Sequence, residues 1–272
     1  MLTIKNYKKA ESLEEAWTLN QSGNNRIIGG MLWLKMGNGG IHTAIDLSGL
    51  SLDGIEETEE EFRIGCMVTL RQLEVHPGLG AYTGGAMKDA LRHIVGVQFR
   101  NLATVGGSIF GRYGFSDVLT MFLAMDSHVE LYRAGTIPLE EFAAGGFHRD
   151  VLVRILVKKS PARFHYGCVR NTDTDFPVLT CAAARYRKTD GTYCRFSIGA
   201  RPGRAMLLED REGILTGMTE SCIRQKAEAF GEYAAAHIPT GGNMRGSAQY
   251  RSRLVRVLTA RAAAELGGSP LC

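Results

Sequence analysis

Two pairs of adjacent glycines have the residue type and spacing that suit the binding of an anionic ligand. The first pair, at 29–30, follows a short β-like run, and the second pair, at 106–107, lies between Thr104 and Ser108. Consecutive glycines expose backbone N–H groups with no side chain in the way, and such a nest typically binds a pyrophosphate group. Neither pair has the spacing of a G-x-G-x-x-G or P-loop motif. Each pair taken alone is therefore also compatible with a tight structural turn.

An acidic residue follows the second glycine pair. Asp117 lies nine residues after Ser108, at the predicted start of an apolar helix. A carboxylate at a helix N-terminus is stabilised by the helix dipole and can accept hydrogen bonds from ligand hydroxyls. The same position suits an ordinary capping residue. Its place in the sequence therefore leaves both roles open.

The cysteines and histidines indicate neither a metal site nor a catalytic base. None of the six cysteines forms a C-x-x-C pair, and no histidine stands at zinc-ligand spacing from them. Four cysteines with iron–sulfur spacing are also absent. We interpret the cysteines as buried free thiols of a reducing compartment. The seven histidines are scattered among different predicted elements, so we predict no catalytic residue in this chain.

The hydrophobic pattern predicts the elements that must position these residues. A capping box at 12–15 predicts the first helix, and apolar periodicity predicts helices at 86–94, 118–125, 220–236 and 247–265. Apolar runs predict strands at 26–28, 42–47, 62–68, 128–132 and 151–157. After a break at Ser160-Pro161, runs at 164–170, 178–187 and 192–198 predict an antiparallel sheet. The middle run is also compatible with the start of a helix.

Length and composition exclude several classes of protein. The chain has 272 residues, 44% of them hydrophobic, and a net charge of +4 that is spread along the sequence. This length is enough for two domains and a sizeable core, and the dispersed charge does not indicate nucleic acid as a partner. The longest apolar stretch, 118–125, is far shorter than the roughly 20 residues that a membrane span needs. No signal peptide is evident, so we expect a soluble cytoplasmic protein with no membrane partner.

Five segments, in order and nearly from end to end, resemble the FAD-binding (medium) subunit of the molybdenum hydroxylases. That family includes xanthine dehydrogenase, carbon monoxide dehydrogenase and nicotinate dehydrogenase. The segments are KKAESLEEAWTLN, IIGGMLWL, FRIGCMVTLRQLE, QFRNLATVGGSIFGRYGFSDVLTMFLAMDSHVEL and RGSAQYRSRLVRVLTARA. The resemblance implies an α+β protein with two domains. Residues 1–160 would form a two-lobed FAD-binding α/β domain of the PCMH type, with lobes at about 1–53 and 54–160. Residues 161–272 would form a small α+β domain with an antiparallel sheet and helices.

The resemblance also implies a set of cofactor-binding residues. The family has a first diphosphate loop of the form A-G-G-T-D-L, a second of the form A-T-I-G-G-N, and an acidic residue that holds FAD. The corresponding residues here are Ile28, Gly29, Gly30, Met31, Leu32 and Trp33 in the first loop, Thr104, Gly106, Gly107 and Ser108 in the second, and the acidic Asp117. Met31 and Leu32 replace a polar pair, Ser108 replaces the usual Asn, and Cys168 stands where the family often has Lys. These replacements remove side-chain hydrogen bonds to FAD.

The function implied by the resemblance is electron transfer through non-covalently bound FAD. A 2Fe–2S small subunit would supply electrons, NAD or another molecule would accept them, and a molybdenum-cofactor large subunit would bind the substrate. Such a chain would be an oxidoreductase subunit that is not active alone. Because its polar loop residues are replaced, a flavin-poor or flavin-free scaffold or assembly subunit of the same complex is the alternative. A stand-alone flavin oxidase would need a substrate base, which the sequence does not provide.

Overall fold

The computed structural model describes residues 1–188, 191–219 and 221–268. The chain forms two compact units, and each unit is built from three separate segments. Unit 1 contains Met1–Leu73, Gly96–Gly111 and Ser127–Lys158, and unit 2 contains Glu74–Val95, Arg112–Asp126 and Lys159–Cys272. Both units mix helices with strands, so the fold is of the expected α+β class.

The elements are numbered in chain order. The helices in the described residues are α1 Leu13–Asn20, α2 Leu70–Val75, α3 Pro77–Tyr82, α4 Ala86–Leu91, α5 Val97–Arg100, α6 Val105–Gly111, α7 Asp117–Ala124, α8 Leu139–Ala144, α9 Ile223–His237 and α10 Ala248–Gly267. The strands are β1 Thr3–Lys9, β2 Arg26–Ile28, β3 Gly40–Asp46, β4 Ile55–Glu57, β5 Glu61–Gly65, β6 Ser127–Leu131, β7 Gly135–Pro138, β8 Leu152–Lys158, β9 Ala162–Arg170, β10 Pro177–Lys188, β11 Gly191–Gly199 and β12 Met206–Glu209.

Unit 1 contains two sheets. A three-stranded parallel sheet has the order β1-β3-β2, and a five-stranded antiparallel sheet has the order β4-β5-β8-β6-β7. One bond of the predicted capping box is present at α1, where the Ser12 hydroxyl accepts from the Glu15 N–H at 3.1 Å. The Glu15 carboxylate in turn accepts from the Glu11 N–H at 2.8 Å. Helix α1 and the predicted strands of this unit are confirmed, with ends shifted by a few residues.

Unit 2 is built on a four-stranded antiparallel sheet of order β12-β11-β10-β9. The run at 178–187 is strand β10 and does not begin a helix. Because side chains alternate along a strand, Leu179, Cys181 and Ala183 of β10 face one way and pack into a core with α9 and α10. From the other face, Thr180 Oγ1 lies 3.1 Å from Thr120 Oγ1 of α7. The predicted helices are confirmed as α9 and α10, although the predicted first residue of α9, Glu220, lies outside the described residues.

The helices in the part of the chain that the structure describes include no candidate for a membrane span. No helix there is both long enough and apolar enough to cross a bilayer.

Candidate functional site

The two glycine loops lie against each other in unit 1. An ideal Cβ on Gly30 would overlap the carbonyl oxygen of Leu102 and stand 2.6 Å from the carbonyl carbon. A Cβ on Gly29 would overlap the hydroxyl of Thr104. Glycine is therefore required at 29–30 by the contact between the loops, before any ligand is considered.

The second loop is fixed to the chain that follows β5. The Leu70 N–H donates to the Ala103 carbonyl, and the Val105 N–H donates to the Val68 carbonyl, each at 2.8 Å. A Cβ on Gly106 would lie 2.5 Å from the Cys66 carbonyl oxygen. Gly106 is thus also required by close packing within the protein.

Thr104 organises the first turn of α6. Its hydroxyl accepts from the Gly107 N–H at 3.1 Å, and its carbonyl accepts from the Ser108 hydroxyl at 3.1 Å. Gly107 differs from the other three glycines, because a Cβ there would meet only Thr104 Oγ1, at 3.1 Å. The open side of Gly107 is therefore where a ligand can approach the backbone of the second loop.

Met31 has a packing role in the first loop. Its φ of 59° is left-handed, which is uncommon for a residue other than glycine. Its side chain packs against the small apolar cluster of Ile28, Ile41 and Ala44. The apolar residue that replaces the expected polar one therefore has a local explanation.

An aromatic contact joins the first loop to helix α5, which precedes the second loop. The ring of Trp33 lies 5.5 Å from the ring of Phe99, at an interplanar angle of 59°. Leu32 is half-buried beside Trp33.

Four adjacent N–H groups of the first loop have no protein acceptor. Within the described residues, the backbone N–H groups of residues 29–32 donate to no other residue. Half-buried N–H groups need an acceptor from water or a ligand, and adjacent donors on a glycine turn form an anion nest. The backbone of this loop therefore offers donors of the kind that an anionic group such as a diphosphate accepts from.

Asp117 belongs to unit 2, where it is the first residue of α7. The cap of that helix is Ser116, whose hydroxyl accepts from the Leu119 N–H at 3.0 Å. The Asp117 carboxylate is 6% exposed and lies 2.6 Å from Arg170 Nη2. The same oxygen, Oδ1, accepts a hydrogen bond from the Tyr166 hydroxyl. The carboxylate is thus held by two donors that the sequence analysis did not single out.

Burial and charge act in opposite directions on this cluster. Burial raises the pKa of Asp117, and the Arg170 guanidinium opposes that shift. Burial alone would lower the pKa of Arg170, but the Asp117 charge raises it overall. Burial and then the Asp117 charge raise the pKa of Tyr166 well above its ordinary value. Tyr166 is therefore a neutral hydroxyl donor, and Arg170 remains a cation.

The pattern that could have revealed Tyr166 and Arg170 is the alternation along β9. Tyr166, Cys168 and Arg170 are two residues apart and share one face of the strand. Of the three, only Cys168, at the middle position, stands out in the sequence. The structure thus groups the predicted loop residues in unit 1 and gives Asp117 its partners in unit 2.

The described cysteines are free thiols. Cys66 and Cys181 are buried, as expected, whereas Cys168, Cys194 and Cys222 are only partly buried. No group of three or more potential metal ligands occurs among the described residues.

Two family models match the chain in succession. The model described as "FAD binding domain in molybdopterin dehydrogenase" matches residues 3–159, which is more than half of the chain. The model described as "CO dehydrogenase flavoprotein C-terminal domain" matches residues 164–266.

The chain is also similar to subunits of several hydroxylases and dehydrogenases. The chain is 27% identical over 236 residues to the nicotine 6-hydroxylase medium subunit of Paenarthrobacter nicotinovorans, covering 82% of this chain and 81% of that protein. It is 23% identical over 237 residues to a putative xanthine dehydrogenase FAD-binding subunit of Escherichia coli (strain K12), covering 83% and 79%. A chain of the carbon monoxide dehydrogenase of Hydrogenophaga pseudoflava has the same fold, with a TM-score of 0.83 at 22% identity and coverage of 97% and 98%.

Proposed function

Because the chain belongs to the family of FAD-binding domains in molybdopterin dehydrogenases, we propose that it is the electron-transfer subunit of a heteromeric molybdenum hydroxylase. As a member of this family it is an FAD-binding oxidoreductase subunit. We further propose that it receives electrons from a 2Fe–2S small subunit and passes them to NAD or another acceptor. The substrate would bind to a molybdenum-cofactor large subunit.

The observation that carries this proposal is the pair of joined loops, of which the first, at residues 29–32, has free N–H donors. Residues 28–33 would hold the FAD diphosphate mainly through backbone N–H groups. The segment of Thr104, Gly106, Gly107 and Ser108 would pack against it, and Asp117 would accept from a cofactor hydroxyl. Bound FAD supplies the redox chemistry, and the protein supplies position and electrostatics. The apolar side chains of Met31 and Leu32 leave the four backbone donors available.

The names of the relatives support the proposal that this chain is one subunit of a heteromeric complex. "Medium subunit" and "FAD-binding subunit" describe proteins that work beside other chains. The matched regions end at residue 159 and resume at 164. These bounds support a domain boundary near 160, with residues 1–160 as the FAD-binding domain (lobes at about 1–53 and 54–160) and 161–272 as the C-terminal domain. Unpaired cysteines support a cytoplasmic location.

A flavin-free scaffold subunit is not favoured. The replaced polar residues were the reason to consider it, and Met31 has a packing role that leaves the loop backbone unchanged. The family match over residues 3–159 includes both loops.

Isolation from the source cells tests the assembly. An affinity-tagged copy of this chain should be purified gently and assayed for flavin, iron and molybdenum. We expect two further subunits to co-purify, and the complex to hold all three cofactors. The chain expressed alone should show no dehydrogenase turnover. Substrate hydroxylation by the isolated chain would contradict the proposal.

A further inference from the structure

Strand β9 presents Tyr166 and Arg170 on one face. Side chains alternate along a strand, so residues four apart point to the same side. Arg170 Nη2 lies 2.6 Å from Asp117 Oδ1, and the Tyr166 hydroxyl donates to the same oxygen. Two donors from one strand therefore fix a single carboxylate oxygen at the start of α7.

The other carboxylate oxygen of Asp117 is differently placed. Within the described part of the chain, no other residue donates a hydrogen bond to Asp117 Oδ2, and the backbone N–H of Asp117 itself contacts the carboxylate. A carboxylate has about four acceptor positions on its two oxygens. Asp117 therefore keeps acceptor positions on Oδ2 after Tyr166 and Arg170 are bound.

Arg170 is itself braced by the loop that follows β9. Its Nη1 group donates to the Asp175 carbonyl, and the Asp175 carboxylate pairs with Arg245 Nη2 at 3.0 Å. The Arg245 guanidinium lies 4.8 Å from the centre of the Phe176 ring. A guanidinium that is already immobilised loses little further freedom when its carboxylate partner binds a ligand.

Stability alone does not explain a buried pair of this kind. The Asp117 and Arg170 side chains are only 6% and 7% exposed. Removing both charges from water costs about as much as their attraction returns, so well-packed apolar residues would be about equally stable here. The need for a carboxylate that accepts a hydrogen bond from a ligand would explain why charged residues are present here.

We infer that Tyr166 and Arg170 are positioning residues, which hold Asp117 Oδ1 so that Oδ2 remains the acceptor for a hydroxyl group of FAD. This inference rests on the proposed function, in which Asp117 binds the cofactor. Neither Tyr166 nor Arg170 needs to touch FAD. Both act through the orientation and ionisation of Asp117.

A double-mutant cycle on FAD affinity tests the inference. Asp117→Ala should weaken FAD binding by roughly 10- to 150-fold, since a hydrogen bond to a charged group is lost. Tyr166→Phe should weaken it by about 2- to 12-fold, because the orientation of the carboxylate is less well fixed. The double variant should bind no more weakly than Asp117→Ala alone. Arg170→Met should show the same dependence on Asp117, and Arg170→Lys should recover part of the affinity.

The control is Val169→Ala, on the opposite face of β9. Val169 packs against the core of unit 2, so this variant should lower the melting temperature and leave FAD affinity unchanged. If Asp117→Ala fails to fold, the isosteric Asp117→Asn takes its place in the cycle. Additive losses in the double variant, or wild-type affinity in Asp117→Ala, would overturn the inference and leave the proposed function intact. Wild-type protein that binds no FAD would overturn the proposed function together with the inference.

Discussion

Replacing Gly107 by alanine is expected to weaken FAD binding while leaving the fold intact. Gly107 lies within α6 and does not have a positive φ. Alanine in a helix is more favourable than glycine by roughly 0.5–1 kcal/mol. One close contact opposes this gain in stability. The new Cβ would lie 3.1 Å from Thr104 Oγ1, and this distance must widen by a few tenths of an ångström. We therefore expect the free energy of unfolding to change by less than about 1 kcal/mol, and the melting temperature by less than about 4 °C.

The effect on the cofactor should be much larger. A methyl group on the open side of Gly107 would hinder the approach of the diphosphate to the second loop and weaken its hydrogen bonds to the free N–H groups of residues 29–32. Loss of one hydrogen bond to a charged group costs about 1.5–3 kcal/mol, which is roughly 10- to 150-fold in affinity. Gly107→Val adds further bulk at the same point and should abolish FAD retention.

The assay combines an FAD titration with a thermal melt for each variant. Gly80→Ala is the matched control, because Gly80 lies in helix α3 and a Cβ there would meet nothing within 4 Å. This control should gain stability by roughly 0.5–1 kcal/mol, because no contact opposes the helix preference of alanine, and it should keep wild-type FAD affinity. Folded Gly107→Val that retains its flavin would refute the placement of the diphosphate at this loop.

Three further outcomes are expected. Gly30→Ala should lower the free energy of unfolding by about 1–3 kcal/mol in chemical denaturation, since its Cβ overlaps the Leu102 carbonyl; unchanged stability would show that the loops do not pack as described. Met31→Thr should lower the free energy of unfolding by about 1–3 kcal/mol, because a β-branched residue would take a left-handed φ and apolar contacts would be lost. A melting temperature above that of the wild type would contradict this prediction. The Thr219 hydroxyl lowers the pKa of Cys222, whereas burial raises the pKa of Cys66 to about 12. A lower pKa gives more thiolate at a given pH, so mass spectrometry after iodoacetamide treatment at pH 8 should find Cys222 modified first, and equal labelling would argue against it.

Elements with a strong apolar pattern could be predicted from the sequence. Helix α7 and strand β8 are buried along most of their length, and their patterns marked them within a residue or two. Helices α5 and α6 could not be predicted, because they are only four and seven residues long. Helix α6 is fixed by the Thr104 hydroxyl and by the Cys66 carbonyl, which lies far away in the sequence.

The glycines of the candidate site could be predicted from the sequence, but the residues that pack around them could not. The glycine pairs suggested a close approach of backbone to a ligand, whereas three of the four glycines are first required by close packing within the protein. The sequence alone gives no sign that Met31 contributes to packing. The left-handed φ and the apolar cluster around Met31 predict that a polar residue there lowers the stability of the protein. The partners of Asp117 come from β9, about fifty residues away, and only the tertiary fold brings them to it.

Titration of the purified wild-type chain with FAD tests the central claim most directly. The apoprotein would be prepared under mild conditions, and flavin fluorescence and absorbance would be followed to saturation. The account predicts one FAD bound per chain, released on denaturation because the attachment is non-covalent. It also predicts that Gly107→Val abolishes this binding while the thermal melt stays close to that of the wild type. A folded wild-type chain that binds no FAD at saturating concentration would contradict the account.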